Sequence, residues 1–97
     1  MATTRISSIS RRTRRFFVYI LRCDDGTLYT GITTDIARRL TQHKSGTGGA
    51  YTRTHGARDI VYTERAASRS AALRREAALK RLTRTQKSAI IAGHAHR

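Results

Sequence analysis

Phe16-Phe17-Val18-Tyr19-Ile20-Leu21, followed across Asp24-Asp25-Gly26 by Leu28-Tyr29-Thr30-Gly31-Ile32, is the stretch on which the fold turns. Both runs are aromatic and β-branched, a composition that fits a pleated, half-buried surface. Each therefore predicts a strand, and the turn between them predicts a hairpin. The register of that hairpin has chemical weight. A two-residue turn at Asp25-Gly26 would set Cys23 opposite Leu28, whereas a three-residue loop with Gly26 left-handed would set Leu21 opposite Tyr29. Only the second puts Tyr19 and Tyr29 on one sheet face, because a slip of one residue sends every side chain to the other side. Asp-Asp-Gly suits a type I turn closed by a glycine bulge, so that register is the expected one.

Working outward, Thr34 or Asp35 can cap a helix whose core stripe is Ile36, Ala37, Leu40 and His43. Gly46-Thr47-Gly48-Gly49 ends it, and Ala50-Tyr51-Thr52-Arg53-Thr54-His55-Gly56 is expected as a flexible basic loop. Ile60-Val61-Tyr62-Thr63 predicts a third strand. Ser68 can cap a long helix through Leu82, and Thr83 or Thr85 a last short one through Ile91. The order ββαβαα with a hairpin at its start predicts an α+β fold, a small three-stranded antiparallel sheet flanked by helices. The expected divisions are a disordered basic arm over 1–15, a folded domain over 16–92 and a flexible tail over 93–97.

A chain of 97 residues with 38% apolar content can bury one modest core. Before Phe16 the sequence is mostly Ser, Thr and Arg without an acid, too poor in apolar side chains to order itself by burial. That arm has the composition of an organellar transit segment, which stays as an alternative; the apolar run from Phe16 to Leu21 is too short for a signal sequence or a membrane span, so a bacterial cytoplasmic protein is the first expectation. One cysteine, Cys23, cannot form an internal disulfide. The formal net charge of +14 calls for a polyanionic partner, nucleic acid before membrane, because no segment pairs a basic face with large apolar bulk. Nothing in the sequence marks an oligomer.

Only six acids exist. Asp24 and Asp25 fall in the turn, Asp35 in a cap, Asp59 before a strand and Glu64 after one. Glu76 is then left as the acid inside a regular element, between Leu73 and Leu79 in a stripe that includes Ala72. A carboxylate directed at a core is costly unless paired or metal-bound, and a salt bridge to Lys80 at i+4 is the structural alternative to a functional role. On the other helix Arg39 and His43 are i, i+4 neighbours. Together with Tyr19, Tyr29 and the inward Glu76 they supply what phosphodiester cleavage requires: a metal ligand, a cation for the phosphate oxygens, and hydroxyl or imidazole groups to move protons.

Val18-Tyr19-Ile20, then Tyr29-Thr30-Gly31 ten residues on from the first tyrosine, then Arg39-Leu40 with His43, then Glu76 on a later helix, resembles the GIY-YIG nuclease family over roughly Phe16 to Ile91. The length and the Gly-Gly-Ala-Tyr-Thr-Arg loop are similar to the small stand-alone bacterial members. Val-Tyr-Ile stands where the family name has Gly-Ile-Tyr, Thr30 replaces its second isoleucine, and Ile32 occupies a place where some members carry lysine. The resemblance implies a DNA endonuclease of repair or processing. It implies one Mg²⁺ or Mn²⁺ held by Glu76, Arg39 at the scissile phosphate, and Tyr19, Tyr29 and His43 lining the site. Arg38, Lys44, Tyr51, Arg53, Arg58 and Lys80 are candidates for gripping DNA. A basic nucleic-acid clamp without turnover is the alternative, and Glu76 with Arg39 on inward edges is what separates the two. A sequence-reading RNA-binding protein is disfavoured, since Tyr51 and Tyr62 do not form a stacking pair on one strand.

Overall fold

Alternation along the first strand divides the molecule into two layers. In the computed structural model, which describes residues 15–95, β1 spans Phe16–Cys23, β2 Leu28–Thr33 and β3 Ala57–Ala66. The sheet order is β2-β1-β3 with both pairings antiparallel. Four helices follow the chain as α1 (Ile36–Lys44), α2 (Ala50–His55), α3 (Arg69–Lys80) and α4 (Arg84–Ala95). Apart from Arg15, the expected basic arm lies outside the described residues, as do His96 and Arg97 of the tail.

The three-residue hairpin is the one formed. Leu21 pairs with Tyr29, Gly26 N donates to Cys23 O at 3.0 Å, Cys23 N donates to Thr27 O at 2.8 Å, and Gly26 sits at φ +86°. Tyr19, Leu21 and Cys23 therefore share a face with Tyr29, and pack against Ile36, Leu40 and Ile60. Val18 points the other way, into a cluster with Ala72 and Leu79 rimmed by Phe16, Ile32, Tyr62, Leu82 and Ile90. On β3, Ile20 pairs with Tyr62 but Leu21 with Ile60, which leaves Val61 as an extra residue. That bulge puts Ile60 and Tyr62 on opposite faces although they are two apart, so one strand serves both layers.

Four expectations need correction. The stretch after the glycines is not a loop: Gly49 O accepts from Arg53 N at 3.2 Å and Gly56 N closes on Thr52 O at 2.8 Å, giving the six-residue α2. Its Tyr and Thr residues are poor helix formers, and contacts to the rest of the fold hold it, as shown below. The third strand is ten residues long and takes in Asp59 and Glu64. Glu76 is thus not alone among the acids in a regular element; those two are paired, Asp59 with Arg22 at 3.3 Å and Glu64 with Arg75 at 2.8 Å. The last helix reaches Ala95 rather than stopping at Ile91, and His94 meets Tyr62 edge-on with ring centroids 5.0 Å apart. On α3, capped by Ser68 as expected, Leu73 is 39% exposed and lies off the buried stripe of Ala72 and Leu79.

Candidate active site

The tyrosine face of the sheet carries a polar cluster, and α1 is aimed at it by its cap. Asp35 Oδ1 accepts from Arg38 N at 3.0 Å, fixing the entry of the helix, and its one buried residue is His43. His43 Nε2 lies 2.7 Å from the Tyr19 hydroxyl, and His43 Nδ1 lies 2.7 Å from Thr52 Oγ1 of α2. Arg39, one turn earlier, donates from Nε to the Tyr19 oxygen at 3.4 Å, from Nη1 to Gln42 Oε1 at 3.0 Å and from Nη2 to Gly48 O at 2.8 Å. Tyr29 completes the wall, its ring 5.5 Å from His43 and 6.4 Å from Tyr19. The Tyr29 hydroxyl has no hydrogen-bond partner among the described residues, which leaves it available to a ligand.

Two glycines make this packing possible. A Cβ on Gly31 would lie 2.5 Å from the Tyr19 oxygen, and one on Gly48 would lie 2.5 Å from His43 Nδ1. Neither neighbour can move away: Tyr19 and His43 are both buried and hydrogen-bonded to each other. Gly31 therefore belongs to the site as the floor under the tyrosine, and Gly48 as the backbone that closes over the imidazole and accepts from Arg39.

The proton inventory follows from the partners. Burial raises the Tyr19 phenol above its ordinary value of 10, and the hydrogen bond and charge of Arg39 only partly offset it. A neutral phenol that accepts from Arg39 must direct its own proton to His43 Nε2. That assigns the imidazole proton to Nδ1 and makes Thr52 its acceptor. Burial, helped by the Arg39 charge, lowers His43 below 6.5, so the ring is neutral at neutral pH.

Glu76 comes from the opposite helical layer. It is only 18% exposed, its ion-pair partner is Lys80 at 3.4 Å, and its negative charge contributes to raising Tyr19. The i+4 pair weighed as an alternative is thus present, and it occupies the candidate DNA-gripping Lys80. The structure brings Tyr19, Tyr29, Arg39 and His43 together; Glu76 acts on Tyr19 through its field. Arg38, Lys44, Arg53 and Arg58 are exposed, as a binding surface requires. Tyr51 is 38% exposed and stacks between Tyr29, at 5.4 Å, and His55, at 4.1 Å. His55 is in turn tied to Asp25 of the hairpin, whose carboxyl this bond holds down to about 2. An aromatic stack therefore exists that the sequence did not predict, built from β2 and α2 rather than from one strand. Gln42, Gly48 and Thr52 were also missed; no spacing rule links a helix to a loop that folds back over it.

Among the described residues no three His, Cys, Asp or Glu side chains cluster as a ready-made metal site. A single largely buried carboxylate, whose charge is felt at the Tyr19 phenol, does fit a cation that keeps most of its water, as Mg²⁺ does. No helix among the described residues is long and apolar enough to cross a membrane.

Strand pair, bulged third strand and polar cluster define a nuclease-type domain, and comparison with known proteins agrees. The family described as the GIY-YIG catalytic domain matches residues 15–89, and the chain belongs to it. The UPF0213 protein of Cronobacter sakazakii is 49% identical over 78 residues, 80% of this chain and 82% of the relative. That of Desulfotalea psychrophila is 52% identical over 77 residues, 78% and 70% of the two chains. The fold also matches two solution NMR structures. The UPF0213 protein of Bacillus halodurans is 42% identical with a TM-score of 0.52, covering 80% of this chain and 83% of that one. A protein of E. faecalis is 41% identical with a TM-score of 0.57, covering 86% and 88%.

Proposed function

We propose that the chain is a metal-dependent endonuclease that hydrolyses phosphodiester bonds in DNA by attack of water, in the setting of DNA repair or processing in the cytoplasm. The observation that carries this reading is the buried chain Arg39–Tyr19–His43–Thr52, a proton path with a guanidinium at its mouth. A raised phenol is a poor base by itself, since forming tyrosinate is the costly step. It works as a relay once substrate binding opens the Tyr19 oxygen, fully buried here, to the attacking water: that oxygen takes the proton of the water while its own proton passes to His43 Nε2. The phenol stays neutral throughout and the imidazole becomes the cation. Thr52 holds the ring in the tautomer that leaves Nε2 open to accept. Arg39 uses three of its five N–H groups inside the protein, so it is fixed in place with two left for a phosphate oxygen. Tyr29 stands beside it with a hydroxyl for the same phosphate.

Glu76 would hold the Mg²⁺ or Mn²⁺, in exchange for its bond to Lys80, and waters would fill the remaining positions. When bound, such an ion polarises the phosphate and supports the leaving oxygen. Lys44, Tyr51, Arg53 and Arg58 would grip the backbone around the site, with affinity falling as salt rises.

The Glu76–Lys80 pair favours one competing reading, a DNA clamp in which the carboxylate is structural. The test is cleavage of labelled single-stranded, duplex, flapped and nicked DNA with Mg²⁺, Mn²⁺ or EDTA, beside Glu76→Ala and Arg39→Ala. The expected result is metal-dependent cutting that falls by at least about 10²-fold in each variant, the size seen when one transition-state contact is removed, with DNA binding retained. Equal binding by all three proteins and cutting by none would establish the clamp.

A further inference from the structure

Beside the candidate site, sharing Arg39 with it, lies a cavity of about 380 Å³ that Tyr19, Tyr29, His43 and Glu76 do not line. Its lining is of two kinds. Phe16 and Ile32, both partly buried, give an apolar floor, and the guanidinium-bearing Arg38, Arg39 and Arg69 stand around it. One acid faces it, Asp35, and that carboxylate is already engaged with the α1 backbone. Three cations against one committed carboxylate select an anion. An anion alone would need no apolar floor, and the phosphates of a duplex, whose bases are stacked away inside, would not reach one.

We infer that this cavity binds a single unpaired deoxynucleotide of a DNA strand, with its base against Phe16 and its phosphate between Arg38 and Arg69. The volume falls within the range of sites that enclose small ligands, and base stacking on an aromatic ring tolerates any base identity. Arg39 lines both this cavity and the proton path. The bound nucleotide is therefore the neighbour of the phosphate to be cut, which directs the proposed nuclease to strands with an unpaired nucleotide at that step, as at a flap or a single-stranded end. That last consequence rests on the endonuclease reading; nucleotide binding does not.

The experiment is an NMR titration of the full chain in EDTA with deoxyadenosine 5′-monophosphate, deoxyadenosine and inorganic phosphate in turn. The nucleotide should perturb the amides from Ile32 to Arg38 and that of Arg69. It should bind roughly tenfold more tightly than phosphate alone, the base contact being worth about one stacking interaction. Arg69→Ala, an exposed change that leaves the core intact, should weaken the nucleotide about fivefold or more through loss of a charge-assisted hydrogen bond. Phe16→Leu should weaken the nucleotide and leave phosphate unchanged. Phosphate binding as tightly as the nucleotide would reduce the cavity to an anion patch and overturn the inference, as would perturbations confined to other surfaces. The two readings fail separately. A chain that binds the nucleotide here but cuts no DNA with either metal sinks the endonuclease alone. One that cuts DNA but leaves these amides unmoved sinks the nucleotide site alone.

Discussion

The two faces of β1 differ in what their burial is for. Val18 is closed off by Ala72 and Leu79, side chains that offer only contact area, whereas Tyr19 is equally buried yet meets Arg39 and His43, and each polar atom of that set has a partner. One strand thus carries a face held by apolar area and shape alone, and a face on which the apolar packing of Leu21 and Cys23 is joined by a hydrogen-bonded polar cluster around Tyr19. The difference teaches where substitutions should act: on stability at the first face, on chemistry and pH response at the second.

The largest stability effect is expected on the apolar side. Leu79→Ala removes a fully buried side chain from the small cluster that joins α3 to the sheet, and should cost about 2–5 kcal/mol. For a domain this size that is a fall of roughly 4–8 °C in melting temperature per kcal/mol. Thermal melts read this directly. The fraction that stays folded should keep whatever DNA cleavage the native chain has, and a variant that melts normally but is inactive would erase the distinction between the faces.

Gly31→Ala tests the other face by overpacking. The new methyl would meet the Tyr19 oxygen at 2.5 Å with no room to yield, at a cost of about 1–3 kcal/mol. Here cleavage should fall further than stability does, because displacing Tyr19 breaks its bond to His43. Melting and single-turnover cleavage measured on the same preparation separate the two. Equal losses in both would mean that Tyr19 is a core residue which happens to carry a hydroxyl.

How far this division could be read from sequence depends on whether the signal was local. The alternation Val18, Tyr19, Ile20, Leu21 and the Asp24-Asp25-Gly26 turn are local, and they set the hairpin register and the shared face of the tyrosines. Arg39 and His43 at i, i+4 were legible for the same reason. What failed was non-local. The segment Ala50–His55 has poor helix formers behind a glycine run, and it is helical because Thr52 bonds His43 and Tyr51 stacks on Tyr29. Leu73 looked like core by period alone, but among the described residues it is 39% exposed and lies off the buried stripe of α3. Arg69 and Phe16 sit 53 positions apart, and no sequence period predicts that they line one cavity.

The smallest effect expected is a pH response confined to the polar face. His43 is lowered below its ordinary 6.5, by burial first and by Arg39 second, so the folded state binds a proton there less readily than the unfolded chain. Its contribution is fully present above 6.5 and is lost as pH falls from 6.5 through the lower folded value. Tyr19 works in the opposite direction. Raised above 10, its contribution is fully present below 10 and is lost as pH climbs past 10, where the unfolded phenol ionises first, until the folded phenol itself ionises at a higher value. Denaturant unfolding of the native chain and of His43→Gln, compared from pH 7.5 to 5, isolates the first effect. Other titrating groups are common to both chains and cancel in the difference. The native chain should lose stability across that window faster than the variant, while Leu79→Ala should run parallel to the native chain because it leaves the hydrogen bonds of His43 in place. Parallel curves for His43→Gln would mean that the imidazole reaches solvent in the folded state. The relay through Tyr19 would then lack the neutral, shielded acceptor on which it depends.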